Sequence, residues 1–377
     1  MKTHSFQSNS IDQLKASLTS CQENEFQPNL AVVFCSKQQN IEAVRAVFVG
    51  ANIDLVGCST AGEIVDAVLY EGAISVLLFK VNTAYYQLLH EDYLEGEVYE
   101  ASAKLAKRAI QEYKNPALII MSGGLAVDAE QIIKGIRTGA GRDLPTYGGL
   151  AGDDLEMRST TVFTNHRLTD QGLVALVLDT DKLIVKGLAR SGWAPVGGVN
   201  TITKAVGNVI YTINGERAYD VFIRYFGISK DRLISDPLIS IQTNYPLQIL
   251  RGEGTSILRS PILVNEKEGS LTLAGGVIEG EQFQFSNSPG FEIIDQTIEE
   301  FGELQKNTPE AEGLILFSCK GRHGAFGPML EDEIKGIYDL WGQPMIGFLS
   351  YGEFGDDGAG RYEFHNETCA LVILKEK

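Results

Sequence analysis

Cys319 and His323 stand four residues apart in Ser318-Cys319-Lys320-Gly321-Arg322-His323-Gly324, directly after the apolar run Leu314-Ile315-Leu316-Phe317. A thiol and an imidazole are the partners of a cysteine hydrolase, yet catalytic pairs of that kind normally lie far apart in sequence. The same stretch has a second reading. It follows a buried strand and precedes a helix, the place where open α/β sheets form ligand crevices. Gly321 and Gly324 let a ligand approach the backbone closely. Further on, Ser350-Tyr351-Gly352-Glu353 leaves the next strand and turns Tyr351 and Glu353 towards the same space; its plain alternative is a glycine-enforced turn with a solvated carboxylate. Cys58 is a second candidate nucleophile. Ser122-Gly123-Gly124 can cradle an anion but lacks the lysine of a P-loop and the full dinucleotide fingerprint. Asp153-Asp154 offers oxygen to a hard cation, although adjacent carboxylates in a turn are usually solvated.

These residues need strands and helices to hold them. Leu330, Ile334, Ile337 and Trp341 share one helical face, which predicts a helix after the His323 loop. Met345-Ile346-Gly347-Phe348-Leu349 and Leu371-Val372-Ile373-Leu374 read as strands. Two weaker copies of this order lie upstream. In the first, a helix carrying Ile11, Leu14 and Leu18 leads to the strand Leu30–Phe34, a helix with Ile41, Val44 and Phe48, and Gly57-Cys58-Ser59-Thr60-Ala61-Gly62-Glu63. In the second, a helix with Ala101, Leu105 and Ala109 leads to the strand Ala117–Met121, a helix with Ile132, Ile133 and Ile136, and Gly148-Gly149-Leu150-Ala151-Gly152-Asp153-Asp154. The polar strand end and the glycine before the turn are 22, 26 and 28 residues apart (Cys35 to Gly57, Ser122 to Gly148, Cys319 to Gly347). This predicts three α-β-α-β-turn-β-β units, an internal repeat of roughly eighty residues. The fold class is α/β, or α+β, with mixed sheets in two domains, 1–190 and 191–377. Residues 190–290 depart from the repeat: Asn214-Gly215 marks a turn, a short helix carries Ala218, Val221 and Phe222, and Pro237 to Phe285 reads as strands.

The 377 residues exceed what one core usually serves, and the net charge of −17 lacks the basic footprint that nucleic acid or an anionic membrane requires. No window is apolar enough to span a bilayer and the N-terminus lacks a signal-peptide core. The five scattered cysteines, without CxxC spacing, fit reduced thiols in the cytoplasm.

The glycine turns at 57–63 and 148–154 resemble the N-terminal domain of the FIST family. The C-terminal FIST domain is resembled by Gly192-Trp193-Ala194-Pro195-Val196-Gly197, Gly207-Asn208-Val209-Ile210, Phe317-Ser318-Cys319, Gly321-Arg322, Gly347-Phe348, Tyr351-Gly352-Glu353 and His365-Asn366-Glu367-Thr368. The resemblance covers nearly the whole chain. It implies an intracellular, non-enzymatic sensor of a small ligand, and within the family the chain is similar to the haem-binding, nitric-oxide-sensing NosP type, which regulates a separate partner such as a histidine kinase. Haem b would then need an axial imidazole. His323 is the expected iron ligand, with Arg322 on a propionate, Cys319 as the thiolate alternative, and Phe326, Phe348, Met329, Tyr351 and Glu353 around the macrocycle. His4 lies in an end expected to be mobile, His90 follows a strand, His166 sits in a turn, and His365 is expected to make a structural hydrogen bond. Two other readings stand beside this one: a haem-free module for a metabolite such as an amino acid, and a small-molecule enzyme using Cys319 or Cys58. A homodimer is compatible with all three.

Overall fold

A computed structural model of the chain describes residues 1–23, 26–227, 245–251, 256–287 and 290–377. The first unit runs β1 (Lys2–Ser8), α1 (Ile11–Glu23), β2 (Leu30–Ser36), α2 (Ile41–Gly50), β3 (Asp54–Thr60), β4 (Glu63–Val65), β5 (Val68–Tyr70) and β6 (Ile74–Lys80). The second repeats it: β7 (Tyr86–Asp92), α3 (Val98–Glu112), β8 (Pro116–Ser122), α4 (Ala129–Ala140), β9 (Thr146–Leu150), β10 (Val162–Thr164), β11 (Leu168–Thr169) and β12 (Gly172–Asp179). The third opens with β13 (Leu183–Arg190). Before it continues, an insertion supplies β14 (Ala194–Val206), β15 (Val209–Ile213), β16 (Glu216–Arg217), α5 (Ala218–Phe226), β17 (Leu247–Leu250), β18 (Ser256–Arg259), β19 (Pro261–Asn265), β20 (Ser270–Leu273) and β21 (Gln282–Asn287). The unit then resumes with α6 (Glu292–Asn307), β22 (Gly313–Cys319), α7 (Lys320–Phe326), α8 (Leu330–Trp341), β23 (Met345–Ser350), β24 (Glu353–Asp356), β25 (Tyr362–His365) and β26 (Cys369–Glu376).

Each unit builds one six-stranded sheet but does not finish it. In the sheet β1-β6-β2-β3-β10-β11, the last hairpin belongs to the second unit. The sheet of the second unit, β7-β12-β8-β9, is completed by β24 and β25 of the third, and that of the third, β13-β26-β22-β23, by β4 and β5 of the first. The exchange is cyclic. Paired backbone hydrogen bonds close it three times: Ser59 N–H to the Thr161 carbonyl (2.8 Å) with Gly152 N–H to the Ser59 carbonyl (2.9 Å), Leu150 to Gly352 (2.8 Å) with Tyr351 to Leu150 (3.2 Å), and Leu349 to Gly62 (2.8 Å) with Ala61 to Leu349 (3.1 Å). One glycine per unit permits this. A Cβ on Gly57, Gly148 or Gly347 would fall 1.9, 1.8 or 2.3 Å from the carbonyl oxygen of Val33, Ile120 or Leu316, pushing apart each parallel strand pair.

Strands buried on both faces explain the unbroken apolar runs. Inward residues such as Phe34, Ile119, Met121, Phe317 and Phe348 share one central core, and Phe34 lies 4.6 Å from Phe348, ring to ring. Outward residues pack under each unit's own helices, with Val33, Val44 and Phe48 together in the first unit and Leu316, Ile334 and Ile337 in the third.

The insertion has its own core around Ile202, Phe222, Phe283 and Phe285. It is fastened to the repeat units through Arg259, a buried residue that donates to the Phe364 carbonyl (3.0 Å), stacks on the Phe364 ring and pairs with Glu130 of α4. Of the stretch expected to be strands between Pro237 and Phe285, residues 237–244 and 252–255 lie outside the described residues; the rest contains β17 to β21. Two local expectations change. The N-terminus is not loose: His4 lies in β1, paired opposite Leu78. The His323 segment is not a loop but the helix α7, which begins directly after β22. Among the described residues, no helix is long and apolar enough to cross a membrane.

Candidate functional site

The carboxyl ends of β22 and β23 gather the polar residues of the third unit. The turn Ser350-Tyr351-Gly352-Glu353 places Gly352 at φ +152° and buries Glu353 completely. Ser350 Oγ donates to Glu353 Oε1 and the nearby Thr368 N–H also favours the ionised Glu353, while Glu353 Oε2 makes no hydrogen bond of good geometry. Close by is Glu367, whose charge acts on Glu353. Glu367 is also buried, holds φ +52°, accepts from Ser260 Oγ of the insertion on Oε1 (2.8 Å) and leaves Oε2 unpartnered. Ser318 Oγ and Asn366 Oδ1, both buried, lack partners too. A Cβ on the half-buried Gly321 would meet the Glu367 carboxylate at 2.2 and 2.4 Å, so glycine is what admits that side chain beneath α7. Burial pushes the Glu367 carboxyl up to about 8 and the Glu353 carboxyl well above its usual range, the latter further raised by Glu367. Unpartnered buried oxygens of this kind call for an explanation, and a non-glycine residue held at positive φ adds a second.

Arg322 does not face a ligand. It is fully buried, its guanidinium is forked onto Glu333, and it donates to the Ser191 carbonyl (2.6 Å), the Glu367 carbonyl (3.2 Å) and Thr297 (3.4 Å). Trp193 and Phe326 flank it at 5.5 and 5.1 Å. A propionate would have to displace Glu333 from a buried ion pair, which is costly. The expected haem walls are divided as well. Phe348 packs inside the central core against Phe34 and Phe317, whereas Phe326 lies on the outer face against Trp193. His323 is half-buried on α7, with Nδ1 3.1 Å from Lys320 Nζ, and burial and the lysine lower its affinity for a proton. Met329 is exposed. These residues do not enclose a flat macrocycle, and the geometry does not fit haem around His323.

The other sequence candidates are also accounted for. Cys319 and Cys58 are buried, and burial pushes both thiols far above the thiolate range, which leaves neither poised as a nucleophile. Asp153 is consumed locally: it accepts the N–H groups of Met157 (3.2 Å), Arg158 (2.7 Å) and Ser159 (3.1 Å) and the Tyr351 hydroxyl (2.6 Å). Asp154 accepts from Ser36 Oγ (2.9 Å). His365 meets the Gly355 carbonyl at 3.3 Å, a structural contact. Among the described residues, no group of three or more His, Cys, Asp and Glu side chains is arranged for a metal ion. An open groove of about 830 Å³ near Met1, Phe6, Cys21 and Pro344 lies at the amino ends of the strands, away from the buried acids.

The structure thus brings together Cys319, Glu353 and part of Arg322, and adds Glu367, Asn366, Ser318 and Ser260. Glu367 and Asn366 stood in the sequence inside a stretch marked only by its resemblance. Their charge and polarity amid apolar strand residues, Phe364 before and Leu371 after, were the available signal.

A model of the FIST N domain matches residues 29–216, and one of the FIST C domain matches residues 218–356. No curated protein matches. Among solved structures, the chain is similar to the crystal structure of cyanuric acid hydrolase from A. caulinodans, with 8% identity over 98% of each chain and a TM-score of 0.37, too distant to argue from.

Proposed function

The chain belongs to the FIST family, whose domains are small-ligand-sensing modules of signalling proteins, and from that premise we propose that it senses a small polar ligand held at Glu353 and Glu367 without haem. The observation that carries this reading is the set of unpartnered, buried oxygens on Glu353, Glu367, Asn366 and Ser318. A ligand that satisfies them also reaches the Ser260–Glu367 bond, which ties the insertion to the third unit. Occupancy would change how firmly β18 and its neighbours are held, and a separate signalling partner such as a histidine kinase would read that change.

Thermal unfolding of the full chain against a panel of small metabolites tests the reading. A stabilising compound should lose its effect in Glu367→Gln and Glu353→Gln. Stabilisation that survives both substitutions places the ligand elsewhere. The nitric-oxide reading is decided by an absorption spectrum: protein reconstituted with haem should show no bound Soret band. A band that shifts with nitric oxide and disappears in His323→Ala would replace this proposal.

A further inference from the structure

We propose that β1 is the seam of a two-fold dimer, in which its open edge pairs antiparallel, about Ser5, with the same edge of a second copy of this chain. β1 ends the sheet of the first unit, and among the described residues β6 is its one strand partner. Which backbone groups face outward follows from the register. The Ser36 N–H bonds the Ala73 carbonyl (3.0 Å), and hydrogen-bonded pairs alternate along an antiparallel ladder, so Ser75, Leu77 and Phe79 of β6 turn towards β2. Leu78, Val76 and Ile74 therefore turn towards β1, where they meet His4, Phe6 and Ser8. Thr3, Ser5 and Gln7 are left with N–H and C=O groups that point away from the sheet. Two such edges fit each other in register. Thr3 falls opposite Gln7 of the second copy and Ser5 opposite its own copy, an arrangement that exchanges about six hydrogen bonds. On the outer face of the joined sheet, His4 then stands across from Phe6 and Lys2 across from Ser8.

The other two units block the matching edge. β7 and β13 end their sheets as β1 ends its own. The Gly123 N–H on the Gly172 carbonyl (3.0 Å) and the Cys319 N–H on the Thr368 carbonyl (2.9 Å) set the alternation there, and it turns His90 of β7 and Ala189 of β13 outward. Each of those carbonyls is taken by an arginine: His90 by Arg108 (3.2 Å), Ala189 by Arg190 (2.9 Å). β7 also carries Glu91 and Asp92, and β13 the exposed Lys186. Charged residues of this kind keep strand edges from pairing. Among the described residues β1 has no such cap, and it contains no carboxylate, so two chains of net charge −17 meet on strands that present no acid. The strand is also held in place, since the Thr3 and Ser5 hydroxyls bond inward to the Glu312 carbonyl and to Asp66. The open groove of about 830 Å³ follows this edge, with Lys2, Thr3, His4 and Phe6 in its lining. Ala16 and Ser17 of α1 form part of its wall, small side chains that leave room for α1 of the second copy, which a two-fold axis perpendicular to the sheet brings to the same face.

Sedimentation of the full chain tests this, because a dimer of micromolar affinity is largely formed at about 100 µM. Wild type should be dimeric there. Gln7→Pro removes an outward N–H from each copy and sets a ring into the seam, while the β1–β6 bonds, at Phe6 and Ser8, are untouched. It should raise the dimer dissociation constant by at least about tenfold. Ser5→Pro, at the centre of the seam, should do the same. Gln7→Ala keeps the backbone donor and should leave the dimer unchanged, and circular dichroism checks that each variant retains its fold. Should the proline variants fold poorly, wild type decides by itself: amide exchange at Thr3, Ser5 and Gln7 should slow as protein concentration rises, whereas His4 and Phe6 stay equally protected throughout. A chain that is monomeric at about 100 µM overturns the proposal. So does a dimer undiminished in both proline variants, or exchange at Thr3, Ser5 and Gln7 that is indifferent to concentration.

Discussion

The first and third units carry the same turn with opposite outcomes. In Thr60-Ala61-Gly62-Glu63, the Thr60 hydroxyl donates to one carboxylate oxygen of Glu63 and the Ala73 N–H donates to the other (2.8 Å), so the buried acid is satisfied. In Ser350-Tyr351-Gly352-Glu353, the hydroxyl is matched in the same way and the Thr368 N–H, counterpart of the Ala73 N–H, also lowers the Glu353 carboxyl, but Oε2 lacks a well-formed hydrogen bond. The residue two places before the returning strand differs too: Gly72, at φ +74°, in the first unit and Glu367, at φ +52°, in the third. One scaffold therefore buries an acid at both turns, fully matched in the first unit and with one poorly matched oxygen in the third. The second unit differs again: the loop 153–160 intervenes, its buried Asp153 is satisfied by backbone N–H groups and the Tyr351 hydroxyl, and the Thr161 carbonyl accepts the Ser59 N–H.

The sharpest test of that contrast is Arg322, which has no counterpart of its strength in the first unit. Arg322→Met should destabilise the chain by about 3–5 kcal/mol, because Glu333 is left charged and buried. Gln39, the residue at the matching position of the first unit, bonds the Gly72 carbonyl (2.7 Å), and Gln39→Ala should cost only about 1 kcal/mol. Chemical denaturation at pH 7 compares them. Equal losses would mean that α7 is not specially anchored in the third unit.

The pH dependence of stability comes next in size. Glu63 and Glu367 are raised by burial to about 7 and about 8, so in the unfolded chain each loses its proton first. A raised folded value gives a contribution that is present below the unfolded carboxyl range and lost as pH climbs through the folded value. Stability should thus fall between pH 5 and pH 8 by on the order of a few kcal/mol. Glu367→Gln should flatten that slope and raise stability most at pH 8 to 9, and Glu63→Gln should flatten less and at lower pH. Denaturant midpoints across pH 5–9 check this; identical profiles for the two variants would erase the distinction between the turns.

Much of this scaffold is legible in the sequence because local sterics impose it. Gly57, Gly148 and Gly347 recur at similar spacing since each strand crosses a carbonyl at a distance no Cβ tolerates. Apolar runs such as Leu314–Phe317 are visible because both sheet faces are buried. The hairpin exchange was not visible, because β4, β10 and β24 find partners in a different unit and nothing local names them. β1 was missed for a related reason: Lys2-Thr3-His4-Ser5 is a polar edge strand with no apolar signature. For the site, Glu353 was found through its turn. Arg322 is not legible as a structural ion pair because its partner, Glu333, lies on another helix, and a charge's burial cannot be read from its neighbours in sequence. Glu367 was overlooked because an acid at a glycine-type backbone position looks like an ordinary turn until its φ and burial are known.

That backbone position gives the smallest expected effect and the most direct comparison. Glutamine at residue 367 keeps the αL conformation with a Cβ, a strain of about 1 kcal/mol, whereas glycine relieves it at some entropic cost in the unfolded chain. At pH 5, where the buried carboxyls are neutral, Glu367→Gly should therefore be more stable than Glu367→Gln by only about 0.5 kcal/mol. The reverse exchange is informative. A Cβ on Gly72 would meet only the flexible Gln38 side chain, nearest at 3.1 Å, so Gly72→Gln should be accommodated sterically and pay the strain alone, about 1 kcal/mol. If Gly72→Gln costs several times more than that, the two positions differ in packing as well as conformation, and the third unit has been reshaped to admit a side chain that the first cannot hold.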